Sequence, residues 1–199
     1  MGLFPPVPPE YSQLVARVDG FAADVMTRCA ADFSCRAGCD DCCRVELTLS
    51  LVEAAALAGS IAALAGEIKA RLRRLLSAPI PTEMPRCALL DESGQCAVYL
   101  ARPLVCRSQG LPLRYPTDVV PVEAVRARLA SGVVTVCPLN FTVRVPDAGD
   151  VLDAERVDQI LAVLNHRYAA AHGLDGQARY PLADVASAAL AASASEPAS

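Results

Sequence analysis

The stretch "CRAGCDDCC" places Cys35, Cys39, Cys42 and Cys43 within nine residues of one another. On a helix the steps i, i+4, i+7 and i+8 share one face, and a bend at Gly38 would gather the same thiols in a loop, so the sulfurs converge in either case. Three chemistries use sulfur at this density: a disulfide framework, a redox pair and a metal site. Crowded thiolates repel one another, and Asp40 and Asp41 add to the repulsion, with Arg36 and Arg44 the nearby offsets. A divalent cation or an iron-sulfur core resolves that conflict, because it binds the deprotonated sulfur and supplies the missing positive charge.

A second set of sulfurs extends the pattern. Cys87 and Cys96 fall on the two arms of a hairpin expected in "CALLDESGQCAVYL", built around the polar turn "DESGQ". Cys106 falls in the first turn of a helix expected after Pro103, where the dipole favours a thiolate. Cys137 ends the expected strand "VVTVCPL". Two tetrahedral sites would use eight sulfurs and leave Cys29, which reads as a small core residue of the first helix; a single site would use four. All-sulfur ligation suits zinc or iron and not the oxygen-seeking magnesium and calcium. Zinc is the first choice, with iron or an iron-sulfur cluster as the alternative.

Composition narrows the chemistry further. The start, "MGLFPPVPPE", has no basic region and no continuous apolar run, so it does not read as a secretory signal, and a cytoplasmic location is expected. Thiols there stay reduced, which disfavours structural disulfides, and the odd count of nine cysteines points the same way. A formal net charge of −4 offers no cationic field for a polyphosphate, so nucleic acid is not an expected partner. The most apolar stretch, "LSLVEAAALAGSIAALAG", is interrupted by Glu53, Gly59 and Ser60 and reads as a core helix, with no membrane partner expected. The metal ion is the expected partner.

The elements that must position these thiols are mostly helical. Hydrophobic residues are 53% of the chain but aromatics only 5%, which favours helices packed through small side chains. A first helix is expected from Glu10 to about Asp32, from apolar residues such as Leu14, Val18, Phe21 and Val25 at three- and four-residue steps. "VELTL" alternates, and Ser50 with Glu53 has the form of a capping box for a helix from Leu51. "EIKARLRRLL" continues as helix and "APIPTEMPR" as a proline-broken connection. "GLPLRYPTDVVPVE" reads as irregular, "VEAVRARLASG" as a short helix stopped by Gly132, and "DAERVDQILAVLNHRYAAAHG" as a helix closed by Gly173. The expected fold is mainly α with a small β-hairpin: a single cysteine-rich metal-binding domain over residues 1–191, with a disordered tail over 192–199. His166 and His172 read as structural, and no phosphate loop, nucleophile elbow or histidine-carboxylate metal motif is present.

"CRAGCDDCC" together with "CALLDESGQCAVYLARPLVCR" resembles the CxxCxxCC family of zinc- or iron-chelating domains, also called YkgJ-like. The family pattern has a dense N-terminal cysteine motif, a cysteine hairpin, a Tyr, an Arg-Pro pair and a Cys-Arg; the resemblance covers about Cys35 to Arg107. Three residues separate Cys35 from Cys39, where the family name implies two. The resemblance implies metal binding by Cys35, Cys39, Cys42, Cys43, Cys87, Cys96 and Cys106, with Cys137 as an additional candidate. Tyr99, Arg102 and Arg107 match the family's non-cysteine positions. The two guanidinium groups would offset thiolate charge beside the metal or hold a substrate carboxylate or phosphate; the alternative is that Arg102 sits extended before Pro103 and Arg107 is a solvated helix residue. Members of the family are commonly labelled iron-sulfur oxidoreductases, and a related motif occurs in flagellin lysine methylases, so an iron-sulfur enzyme is one alternative. A scaffold stapled by metal is another. No catalytic residue is identified beyond the sulfurs.

Overall fold

A computed structural model describes residues 2–78, 86–118, 124–129 and 132–194. They form six α-helices and six short strands, a mainly α fold with a small β part, as the sequence predicts. Among the described residues no helix is long and apolar enough to cross a membrane. The chain divides into two compact units. Unit 1 comprises Met1–Pro9, Ala37–Pro103 and Leu164–Ser199, and unit 2 comprises Glu10–Arg36 and Leu104–Val163.

Unit 1 is built on helices α2 (Leu51–Ala62), α3 (Gly66–Ser77) and α6 (Leu182–Ala194), together with the C-terminal part of α5 (Ala154–His172). The capping box predicted at Ser50 starts α2: the Glu53 carboxylate accepts from the Ser50 N–H at 3.3 Å and from its hydroxyl at 2.9 Å. Asn165 takes a further orphan donor of that helix end. Its Oδ1 accepts from the Val52 N–H at 3.0 Å, and its Nδ2 donates to the Gly176 carbonyl at 2.8 Å. Ala54 and Ala58 of α2 and Ala186 and Ala189 of α6 are all buried, and these small side chains let the two helices pack closely around Leu57, Ile61, Val185 and Leu190. Strand β1 (Thr48–Leu49) pairs antiparallel with β6 (Tyr180–Pro181), which ties the segment leaving the cysteine cluster to the start of α6. Helix α6 was not expected from the sequence; its alanine-rich stretch gives little periodic signal and is helical because it fills the core against α2.

Unit 2 holds the residues of α1 (Pro9–Arg28) from Glu10 onward, the five-residue helix α4 (Leu104–Ser108) and a four-stranded sheet. The strand order is β3 (Ala127–Leu129), β4 (Gly132–Thr135), β2 (Leu113–Tyr115), β5 (Leu152–Asp153), with β2 and β5 parallel and the other pairs antiparallel. Its core gathers Val25, Cys29, Leu111, Leu113, Phe141 and Ala154. Helix α1 ends at Arg28 and a single 3-10 turn over Ala30–Asp32 completes the predicted helix.

Three expectations change. The segment expected as irregular contains β2, and the one expected as a helix before Gly132 contains β3. Pairing with the β-branched β4 decides both, overriding the helical propensity of "EAVRARLA". Gly132 opens β4 rather than stopping a helix: its φ is 141°, and a Cβ there would lie 2.2 Å from the Tyr115 carbonyl oxygen, so no side chain fits. The arms of the expected cysteine hairpin do not form strands. They meet in one bridge, Leu90 with Cys96, flanked by Asp91 N–H to Gln95 O and Ala97 N–H to Leu89 O, each 2.9 Å. The proline-broken connection lies, but for its end residues Ala78 and Arg86, outside the described residues. The last predicted tail begins within α6 and from 195 on lies outside them.

Candidate metal centre

All nine cysteines are free thiols. The sulfurs predicted to bind metal divide between the units: Cys39, Cys42, Cys43, Cys87 and Cys96 belong to unit 1, and Cys35, Cys106 and Cys137 to unit 2.

In unit 1 the cysteine segment turns at Gly38, whose φ of 86° is in the left-handed region, and then enters a 3-10 turn over Asp41–Cys43. Of the two backbone routes open to the sequence, the loop is therefore the one taken. Three contacts hold this loop against the Arg86–Leu100 segment. The Cys87 N–H donates to the Cys43 carbonyl at 2.8 Å. Arg86 Nε donates to Asp40 Oδ2 at 3.1 Å. Gly94, with φ 77°, approaches Gly38 so closely that a Cβ on Gly94 would lie 2.9 Å from the Gly38 carbonyl oxygen. The turn itself is organised by Asp91, whose Oδ1 accepts from the Ser93 N–H, the Ser93 hydroxyl and the Gln95 N–H at 2.7 to 2.9 Å, while its Oδ2 pairs with Arg71.

The thiols in this patch sense one another. The Cys42 thiol is hydrogen-bonded to Cys43, which together with burial pushes its pKa up, against the opposing field of Arg102. Burial also raises Cys87 and Cys96, with Cys87 adding to the shift at Cys96 and Arg102 countering it. Arg102 thus acts on Cys42 and Cys96 at once. Its guanidinium lies 3.6 Å from the centre of the Tyr99 ring, and its Nε donates to the Tyr99 carbonyl at 3.0 Å. The charge that Asp40 and Asp41 bring beside the sulfurs is met by Arg44, 3.5 Å from each carboxylate, and at Asp40 also by Arg86. Arg86 is a residue that the sequence did not single out, because it follows a proline-rich segment and gains its partner only through the fold.

In unit 2, Cys35 packs against Asn140 and Gly110. Asn140 Nδ2 is 3.3 Å from the Cys35 sulfur and donates to the Gly110 carbonyl at 2.8 Å, while its Oδ1 accepts from the Ser34 N–H at 2.9 Å. A Cβ on Gly110 would be 2.8 Å from the Cys35 sulfur. The Asn140 N–H donates to the Cys137 carbonyl at 2.9 Å, so one buried amide organises the backbone around two of the predicted cysteines. Cys106 lies in α4. Arg107 is not a solvated helix residue: its side chain is 9% exposed and Nη1 lies 2.5 Å from Asp19 Oδ2.

Cys29 is a core residue, as its place in the first helix predicts. Its thiol donates to Asp150 Oδ2 at 3.2 Å and accepts from Arg144 Nη2 at 3.2 Å. Burial and Asp150 raise its pKa, against Arg144. Burial alone would raise Asp150, but hydrogen bonds from Arg28 and Cys29 outweigh it and the carboxyl is held below its ordinary value. Of the two histidines, His172 packs its ring edge-on against Tyr168, with centroids 4.9 Å apart.

The donor chemistry of unit 1 fits a soft or borderline cation: uncombined sulfurs, a hydrogen-bonded thiol pair whose shared proton a metal would replace, and an arginine whose field opposes thiolate charge. Among the described residues no three His, Cys, Asp or Glu side chains stand close enough together to hold an ion. No curated protein and no solved structure matches this chain. Residues 34–118, which include Cys35 through Cys106 and stop short of Cys137, do match the model of the CxxCxxCC family, described as a putative zinc- or iron-chelating domain, and in this stretch the chain is similar to that family.

Proposed function

We propose that the protein binds zinc through thiolates of unit 1, drawn from Cys39, Cys42, Cys43, Cys87 and Cys96. The observation that carries this reading is the 2.8 Å hydrogen bond from the Cys87 N–H to the Cys43 carbonyl, which brings the two cysteine segments together by backbone. When bound, the ion would supply positive charge to deprotonated sulfurs that burial and mutual contact otherwise keep protonated. Arg102 stabilises the remaining negative charge of the thiolate shell, and Tyr99 holds Arg102 in place by its ring and carbonyl. Zinc is preferred to iron because it is redox-inert, binds a given thiolate set more tightly than Fe(II) and needs no inorganic sulfide.

The test is elemental analysis of anaerobically purified full-length protein with acid-labile sulfide measured alongside. Stoichiometric zinc that is lost in Cys42→Ser and Cys87→Ser and retained in Cys29→Ser supports the reading. Stoichiometric iron with sulfide in a brown protein would transfer the site to an iron-sulfur cluster, and metal that survives both substitutions would remove it from unit 1.

A further inference from the structure

We infer, resting on the reading that unit 1 binds zinc, that the ion is cargo and not a structural staple, handed by ligand exchange at Cys42 to the thiolate of an acceptor molecule.

The frame of the site is closed by bonds that use no sulfur. The Cys87 N–H holds the Cys43 carbonyl, Arg86 holds Asp40, and Gly94 closes on Gly38. Just past the cluster the chain is fixed again: the Leu182 N–H donates to the Leu47 carbonyl at 2.9 Å, Arg179 Nη2 donates to the Thr48 carbonyl at 2.6 Å, and β1 pairs with β6. A structural zinc supplies the folding energy of the segment that holds it, and its removal unfolds that segment. Here the cysteine segments are bound to each other and to the start of α6 by bonds of their own, so the ion can leave and the fold remain.

The sulfurs are also unevenly exposed. Cys39, Cys43, Cys87 and Cys96 are half-buried, whereas Cys42 is exposed. Closed shells retain zinc, and exchange needs a position that an incoming group can reach. Arg102, seated on the Tyr99 ring, puts a positive field on Cys42 that also favours an approaching thiolate. The step balances without an electron transfer. The acceptor thiol gives up its proton, its sulfur bonds to zinc, the bond from zinc to Cys42 breaks, and the Cys42 sulfur takes up a proton while zinc stays divalent. The thiol so released is received by its hydrogen bond with Cys43.

The test mixes zinc-loaded full-length protein with increasing glutathione, at a fixed low concentration of a chromophoric chelator that reports released zinc, and quenches portions with excess iodoacetamide for peptide mass spectrometry. The release rate should rise in proportion to glutathione. Cys42 should be alkylated first, ahead of Cys87 and Cys96. Protein stripped of zinc should keep its far-ultraviolet circular dichroism and take up one equivalent again. With zinc bound at the start, a release rate that does not change with glutathione, alkylation of Cys87 or Cys96 as early as Cys42, or unfolding on removal of the ion overturns the inference and leaves the zinc site standing. A protein that holds no zinc overturns the zinc reading and this inference together.

Discussion

The backbone N–H of Cys87 donates to the carbonyl of Cys43 at 2.8 Å, joining two cysteine segments more than forty residues apart in sequence. Because the bond is made by backbone atoms, substitution of either sulfur leaves it in place. Cys43→Ser and Cys87→Ser should therefore keep the apo fold, with unchanged far-ultraviolet circular dichroism, while bound metal falls below one equivalent by elemental analysis. Loss of folding in the metal-free serine variants would show that the sulfurs, and not the backbone, hold the segments together.

Arg102 bears on Cys42 and Cys96 without being a thiol ligand itself. Arg102→Ala should weaken metal affinity about 10- to 100-fold, the usual effect of losing a group that supports the ligands. Competition with a chromophoric chelator measures it. Arg102→Lys should recover part of the loss, since the charge returns but the stacking on Tyr99 is poorer.

Gly94 meets Gly38 at a point where a Cβ would sit 2.9 Å from a carbonyl oxygen, and its φ is 77°. Gly94→Ala should cost about 1 to 3 kcal/mol from backbone strain and contact together. Urea unfolding reads the stability. Metal affinity should fall with it, because the displaced loop carries Cys39, Cys42 and Cys43.

Ser50→Ala removes a buried hydroxyl from Glu53 at the start of α2. A loss of about 1 to 2 kcal/mol is expected from the cap and from the carboxylate left short of a donor. The denaturation midpoint should drop with an unchanged slope.

Asp150 gives the stability of unit 2 an acid limit. Its folded pKa lies below the ordinary 3.8, so its contribution is present in full above that value and is lost as pH falls through the folded one. Cys29 works in the opposite sense: its raised pKa makes its contribution full below 9.0 and lost as pH rises past it. Asp150→Asn should flatten the acid limb of a stability profile measured by thermal melts, and Cys29→Ala the alkaline limb.

The sequence by itself determined which atoms could do chemistry and much of the helical frame. Cysteine spacing is covalent information, and the periodicity of α1, the Ser50 cap and the Gly173 stop are local signals that act within a few residues. The tertiary structure decided what depends on partners distant along the chain. Strands β2 and β3 exist because β4 pairs with them, and α6 because α2 buries its alanines. Arg86 joins the site through Asp40, Arg107 is buried on Asp19, and Asn140 organises the backbone beside Cys35 and Cys137. Apart from the short β3–β4 pairing and the Asn140–Cys137 turn, each of these is an energy between residues well separated in sequence, and local patterning carries no term for it until the chain has folded.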